Sequence, residues 1–518
     1  MTMNKPAYAC KTEHWFLRTL LVMLLLLPVP RVMAAIDMKE LSIGKAQAAI
    51  RAGDTSCADI TRYYLKRIAE FDQATGLNAI VALNPNAVAE AKALDKAFIA
   101  NGQMDLLHCA VMIIKDNFNT AGLPSTAGSA AMKGFIPTED ATQIQRLKAR
   151  GAIILAKSNM AEWAFSPRMT ISSSFGETRN PYDLEHVPAG SSGGTAAAVA
   201  ANLGMAGMGT DTGNSIRGPS SHNALVGFRT TLGLTSRAGI VPLYLRNDVG
   251  GPMTRTVEDA VRILQATLGA DPLDPITLHG AMKLPADLMA LLSSNGLRGK
   301  RIGVMQQLSN RPHDPAIGAL FEAALRDLER LGAVLVRDFT VTDFDELSQN
   351  QWCPMFHQDI NQFLASWQDL APVRNLEEIV SAGNYSAYIE EDLRNFLSVV
   401  DPTKEGRPCL DHYQDPRRIA YRQAITTAMD QYKVDLLVYP SWNFSPGRIG
   451  HPEEYQGDNS QVIAPHTGLP AFTIPMGYAN GLPAGLQFTG RLFSEATLIP
   501  AVYAYEQGTL HRRPPENF

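Results

Sequence analysis

The sequence predicts an α/β protein: a large mixed, mostly parallel central sheet surrounded by helices. Short apolar runs rich in β-branched residues alternate with segments whose apolar residues recur at helical spacing, the pattern of strands buried between helical layers. At 518 residues, with 45% hydrophobic and 19% charged content, the chain can fill a large core, and it has no long polar or low-complexity tract. No proline- or serine-rich linker divides it. Residues 35–518 therefore read as a single domain, with a less regular, substrate-facing elaboration around 284–430.

Helices come first. Residues 42–51 and 58–70 carry helical periodicity, the second opened by Ser56 with Asp59 three residues on, a capping-box arrangement. Residues 86–99 form a third helix candidate. The period then changes: residues 110–114 read as a buried strand, ended by Lys115-Asp116-Asn117. Residues 142–150 predict a helix, 152–156 a strand and 159–164 the start of another helix. The uncharged, proline-free run 195–202 predicts a helix packed closely on other backbone. Residues 256–268 form a strongly amphipathic helix. Within the elaboration, strands at 301–305 and 333–337 flank a helix at 315–331, followed by aromatic and polar segments. Residues 436–439 return to the sheet, 471–475 and 485–488 supply late strands, and 495–506 a closing helix.

The first 34 residues differ in kind. Lys5, Lys11 and Arg18 precede an apolar run at 20–27, then Pro28, Pro30 and the small residues Ala34 and Ala35. This is the pattern of a secretory signal peptide cut after Ala34 or Ala35, which would leave the mature protein secreted or periplasmic. The apolar run falls short of the roughly 20 residues a membrane span needs, so stable insertion after cleavage is not expected. Cleavage removes four positive charges and one negative, so the net charge moves from −5 to −8. An acidic protein without a basic run has no electrostatic footprint for nucleic acid. Cys57, Cys109, Cys353 and Cys409 remain. An oxidising compartment permits disulfides, with Cys353–Cys409 a candidate pair and buried free thiols the alternative. Spacings this wide carry no metal-binding pattern.

Chemistry concentrates between residues 188 and 217, where PAGSSGGTAAAVAANLG is followed by MGTDTGNSIRG. Two hydroxyls, Ser191 and Ser215, flank one small-residue helix. Free N–H groups at a helix start and in glycine turns suit a developing oxyanion, so the pair points to acyl transfer. Thr212, Gly213, Asn214 and Ser215 offer successive N–H groups, while Asp211 and Arg217 are candidates to brace the turn. Lys115, at the end of an apolar strand, either snorkels to the surface or is buried and loses its proton readily. The hydrolase elbow GxSxG is absent around both serines, and His186, His222 and His466 have no diagnostic setting. Lysine activation of serine is a known variant of the same logic. Trp163, Trp352, Phe356 and Trp442 are candidates for an aromatic pocket wall, with core packing as the alternative.

Long segments in order resemble the amidase signature hydrolases: LHCAVMIIKDNFNTAGLPSTAGS (107–129), GAIILAKSNMAEWAFS (151–166), the two serine loops, GLTSRAGIVPL, GPMTRTVEDA and TGLPAFTIPMGYANGLPAGLQFTG. The resemblance runs from about residue 36 to the C-terminus and is weakest at 284–430. It implies a Ser-cisSer-Lys triad in which Ser215 is the nucleophile, Ser191 the bridging serine after a cis peptide, and Lys115 the base. It further implies an acyl-enzyme, an oxyanion hole from the backbone of Thr212 to Ser215, a small-molecule amide substrate, and neither metal nor organic cofactor. Ester or carbamate hydrolysis by the same triad is the alternative, ahead of an amidotransferase component or an inactive binding protein. Three departures bear on substrate shape: Asn214 replaces the glycine usual before the nucleophile, Cys109-Ala110-Val111 the usual Gly-x-Pro, and Arg229-Thr230 the usual Lys-Pro. Asparagine tolerates left-handed backbone, so the turn is expected to survive. Composition and motifs leave the oligomeric state open.

Overall fold

The structure is a computed structural model that describes residues 1–5, 37–399 and 409–518. Asp37–Phe518 form one compact unit. Apart from residues 1–5, the expected signal peptide lies outside the described residues.

Local sequence accounts for the first helices. α1 (Ile43–Ala52) and α2 (Cys57–Phe71) start at Ser42 and Ser56, whose hydroxyls accept the N–H groups of Lys45 and Asp59. Ser56 Oγ also donates to Asp59 Oδ2 at 2.6 Å. Replacing Ser56 with alanine orphans the Asp59 N–H and should lower stability by about 1 kcal/mol. An unchanged urea midpoint would reject that role for the hydroxyl. β1 (Ile80–Leu83) and α3 (Ala87–Asn101) follow, and then the βα alternation begins. It runs through β2 (Val111–Lys115), α4 (Thr142–Ala149), β3 (Ile153–Ser158), α5 (Gly193–Ala200) and β6 (Ala206–Asp211). A separate two-stranded ribbon, β4 (Ile171–Ser172) with β5 (Gly176–Glu177), lies between β3 and α5 in sequence. Next come α6 (Arg217–His222), β7 (Val226–Arg229), β8 (Val249–Thr254) and α7 (Val257–Thr267).

The elaboration contains the expected β9 (Arg301–Val304), α8 (Pro315–Arg330) and β10 (Val334–Val336). Its aromatic and polar part folds into further helices, among them α9 (Phe356–Trp367), α10 (Glu390–Ser398) and α11 (Pro416–Gln431). The chain closes with β11 (Leu436–Pro440), β12 (Ala471–Ala479), β13 (Leu482–Thr489) and α12 (Glu495–Thr509).

The main sheet has eleven strands in the order β1-β3-β2-β6-β8-β7-β12-β13-β11-β9-β10. It is mixed, as expected, with its parallel pairs in two blocks, β3-β2-β6 and β11-β9-β10. The other six neighbour pairs are antiparallel, so parallel pairing does not extend through the middle of the sheet. One of the six, β12-β13, is a hairpin: Asn480 and Gly481, with φ of 51° and 84°, form a two-residue turn that can only return the chain antiparallel. A core of α7, α8 and α12 residues packs on the strands around β12 and β13.

One expected helix is absent. Residues 159–164 form only a single 3-10 turn, Glu162–Ala164, interrupted by Trp163 at φ 52°. Asn159 Oδ1, the atom that would cap a helix, accepts only the adjacent Met160 N–H at 2.9 Å among the described residues, while Asn159 Nδ2 donates to Gly176 O and Thr178 Oγ1, both at 3.0 Å. Cys353 and Cys409 are bonded, and so are Cys57 and Cys109, which ties the start of α2 to the approach to β2.

Candidate active site

Lys115 ends β2, with parallel strands on either side and no exposed surface. Its Nζ lies 2.7 Å from Ser191 Oγ and 2.8 Å from Thr210 Oγ1, and Thr210 Oγ1 also accepts from Asn117 Nδ2 at 3.1 Å. The reading in which the lysine snorkels to the surface is thereby excluded. Burial lowers its pKa to about 7, with the charges of Asp248 and Asp211 opposing the shift. The amine therefore gives up its proton around neutrality.

Ser191 follows a cis Gly190–Ser191 peptide bond and stands two residues before α5. The chain packs this closely only because glycines stand at 190 and 194. A Cβ on Gly190 would lie 2.3 Å from Met169 O, and one on Gly194 would lie 2.2 Å from Asn159 O. Every residue of α5 is buried, as its small side chains require for backbone-to-backbone packing.

The loop from Asp211 to Arg217 carries Ser215. Asp211, at the end of β6, is fully buried between two guanidiniums, 3.0 Å from Arg217 Nε and 2.8 Å from Arg229 Nη1. Burial alone would raise its pKa, but Arg217 and Arg229 more than offset this and hold it at about 2. Asp211 Oδ2 also accepts the Ile216 N–H at 3.2 Å, and Arg217 Nη2 donates to Gly213 O at 2.7 Å. The loop is therefore tied from both ends. Among the described residues, the N–H groups of Thr212, Gly213, Asn214 and Ser215 have no acceptor. All four residues line a cavity of about 170 Å³.

Asn214 is not in the left-handed region, so its tolerance of that conformation is not used here. Its amide donates to Pro167 O at 3.1 Å and to Asp458 Oδ2 at 2.7 Å, which leaves Asn214 Oδ1 3.5 Å from Ser215 Oγ. Gln461 Nε2 and the Ser460 N–H donate to the same Asp458 carboxyl at 2.8 and 3.0 Å. Burial raises the Asp458 pKa to about 7.

Sequence reasoning missed Thr210, Asn117, Asp248 and Asp458. Asp248 accepts from Thr212 Oγ1 at 2.5 Å and from the Leu243 N–H at 2.9 Å. It comes from a turn 36 residues downstream, with no local signal except the short polar run Arg246-Asn247-Asp248 before a glycine pair. Among the described residues, no histidine hydrogen-bonds either serine. His222 and His466 are buried, which lowers the pKa of both. Of the four aromatic candidates only Trp352 lines the cavity. Trp163 and Phe356 belong to a buried cluster, and Trp442 packs on His222 with ring centroids 4.7 Å apart.

Known proteins are similar to this chain in sequence and architecture. The Amidase family model matches residues 59–499. The chain is 30% identical over 507 residues to a probable amidase of Arabidopsis thaliana, covering 94% of this chain and 93% of that protein. It is 33% identical to a glutamyl-tRNA(Gln) amidotransferase component of Moorella thermoacetica, over 93% and 96% of the two chains. Among solved structures, the peptide amidase of Stenotrophomonas maltophilia superposes with a TM-score of 0.82 at 33% identity, covering 92% of this chain and 98% of that one. An amidase family protein of Bacillus anthracis gives 0.79 at 29% identity, over 93% and 95%. With the match spanning nearly the whole sheet and both serine loops, the chain belongs to the amidase signature family, enzymes of amide C–N bond chemistry.

Proposed function

We propose that this protein is an exported amidase that hydrolyses a small or medium amide through a relay of Lys115, Ser191 and Ser215, without metal or organic cofactor. The observation that carries the reading is the contact between buried Lys115 Nζ and Ser191 Oγ at 2.7 Å. A neutral amine there can take the Ser191 proton as Ser191 takes that of Ser215, whose oxygen attacks the amide carbonyl. The carbonyl oxygen becomes an oxyanion, held by the free N–H groups from Thr212 to Ser215. The proton returns along the same path to the departing amine, and water then releases the acyl group from Ser215. Export is supported by the leader's residue pattern and by two disulfides, which persist in oxidising compartments.

The test is labelling by a fluorophosphonate, read by mass on the peptide that contains Ser215. Lys115 acts as a base only when unprotonated, so the labelling rate should rise with pH through about 7 and level off above it. Absence of label on Ser215, or a rate that does not change between pH 6 and 9 (about one unit below and two above that value), would refute the relay. Matched amide, ester and carbamate substrates then separate amidase from esterase or carbamate hydrolase. Several relatives are amidotransferase components, but the leader and the acidic mature charge weigh against that role for this chain.

A further inference from the structure

The cavity above Ser215 has a composition that the relay does not use. Four aromatic side chains, Phe165, Tyr244, Trp352 and Phe396, line it together with one carboxylate, Asp392, and no lysine, arginine or histidine is among its lining residues. The rings form a continuous wall: Phe396 lies 5.4 Å from Phe165 and 6.0 Å from Tyr244, and Tyr244 lies 6.1 Å from Trp352, centroid to centroid. Trp352 keeps 44% of its surface exposed, as expected for a ring at the mouth of a pocket. It also reaches the nucleophile's loop, since a Cβ on Gly213 would meet its ring at 3.0 Å.

Asp392 sits in the first turn of α10, four residues before Phe396, so both project from one helix face into the cavity. Its neighbours Glu390 and Glu391 already complement the helix dipole, and Glu390 is paired with Arg394 at 2.8 Å. Asp392 has no ion-pair partner among the described residues. Its charge reaches Tyr244, and its own pKa is raised by partial burial and by Glu391. A carboxylate without a counter-ion, beside aromatic faces that carry negative charge density, attracts a cation and repels an anion.

Resting on the amidase reading, we propose that this cavity selects amide substrates that carry a protonated amine or guanidinium, with Asp392 as the counter-ion and the Tyr244 and Phe396 rings as the wall. The substrate's charged group sits against α10 while its carbonyl faces Ser215, so Asp392 sets specificity without taking part in the bond-breaking steps.

The test compares three amides of one shape on the full mature protein: para-(aminomethyl)phenylacetamide, para-ethylphenylacetamide and para-carboxyphenylacetamide. Turnover efficiency should fall in that order, with the ammonium compound ahead of the ethyl compound by about tenfold, equivalent to about 1.4 kcal/mol. In Asp392→Asn the ammonium-to-ethyl ratio should fall to near one, and in Asp392→Lys the carboxylate compound should overtake the ammonium compound. Equal efficiencies in the unaltered protein, or a ratio that survives in Asp392→Asn, would overturn the proposal. Failure of the amidase reading looks different: none of the three is hydrolysed and Ser215 takes no fluorophosphonate label. Calorimetric affinities of the same compounds then decide the charge preference, and equal affinities count against it.

Discussion

Ser215→Ala should reduce amide turnover by roughly five orders of magnitude, because the loop's other hydroxyl, Thr212 Oγ1, is held by Asp248. Ser215 is 4% exposed and lines the cavity beside the N–H groups of Thr212 to Ser215, which have no acceptor among the described residues. Lys115→Ala and Ser191→Ala should each lose nearly as much. Either change breaks the proton path from Ser191 Oγ to Lys115 Nζ. The three changes act on one unit, so combining any two should add little to the larger single loss. Efficiencies measured for the single and double variants check this. A Ser215→Ala protein within tenfold of the unaltered one would end the assignment, and multiplicative losses would show that the three residues act separately.

Asp211→Ala should cost about 3–5 kcal/mol of stability and disorder the nucleophile's loop. Its carboxylate lies between Arg217 and Arg229, and all three side chains have no exposed surface. Removing the anion therefore leaves two buried guanidiniums without the carboxylate that both contact. Asp211→Asn, which keeps the acceptor for the Ile216 N–H but loses the charge, should fall between the unaltered protein and Asp211→Ala. Urea unfolding measures the difference, and a loss under about 1 kcal/mol in Asp211→Ala would show that the surrounding carbonyls suffice. The pH dependence has a definite sign. The folded-state pKa of Asp211 is depressed to about 2, so its contribution is fully present above the ordinary carboxylate value and is lost only as pH falls toward 2. Between pH 5 and 9, around the ordinary carboxylate value and well above it, this group leaves stability level.

The order in which residues became legible follows from how local their signals are. Ser56 with Asp59 announced a helix start because the cap closes within three residues. Lys115 at the end of an apolar run, and two serines around a small-residue helix, were visible as types and spacings. Asn480-Gly481 carried an equally local hairpin signal, and the late strands were read without it. Asp415 before Pro416 likewise marked the start of α11 within a segment read as irregular. By contrast, Asp458 and Asp248 reach the loop from 244 and 36 residues away, through contacts that no spacing rule encodes. The Cys57–Cys109 bond spans 52 residues for the same reason.

By itself the sequence determined the α/β class, the residues able to carry acyl transfer and the resemblance that orders them, because composition, periodicity and caps act over short stretches of chain. Tertiary structure decided whether Lys115 is a base or a surface cation, since desolvation depends on what β3, β6 and Ser191 place around its amine. It also decided where the sheet turns antiparallel and which aromatic side chains face Ser215 rather than the core. Those outcomes depend on non-local packing, and the energies involved exist only once distant segments have met.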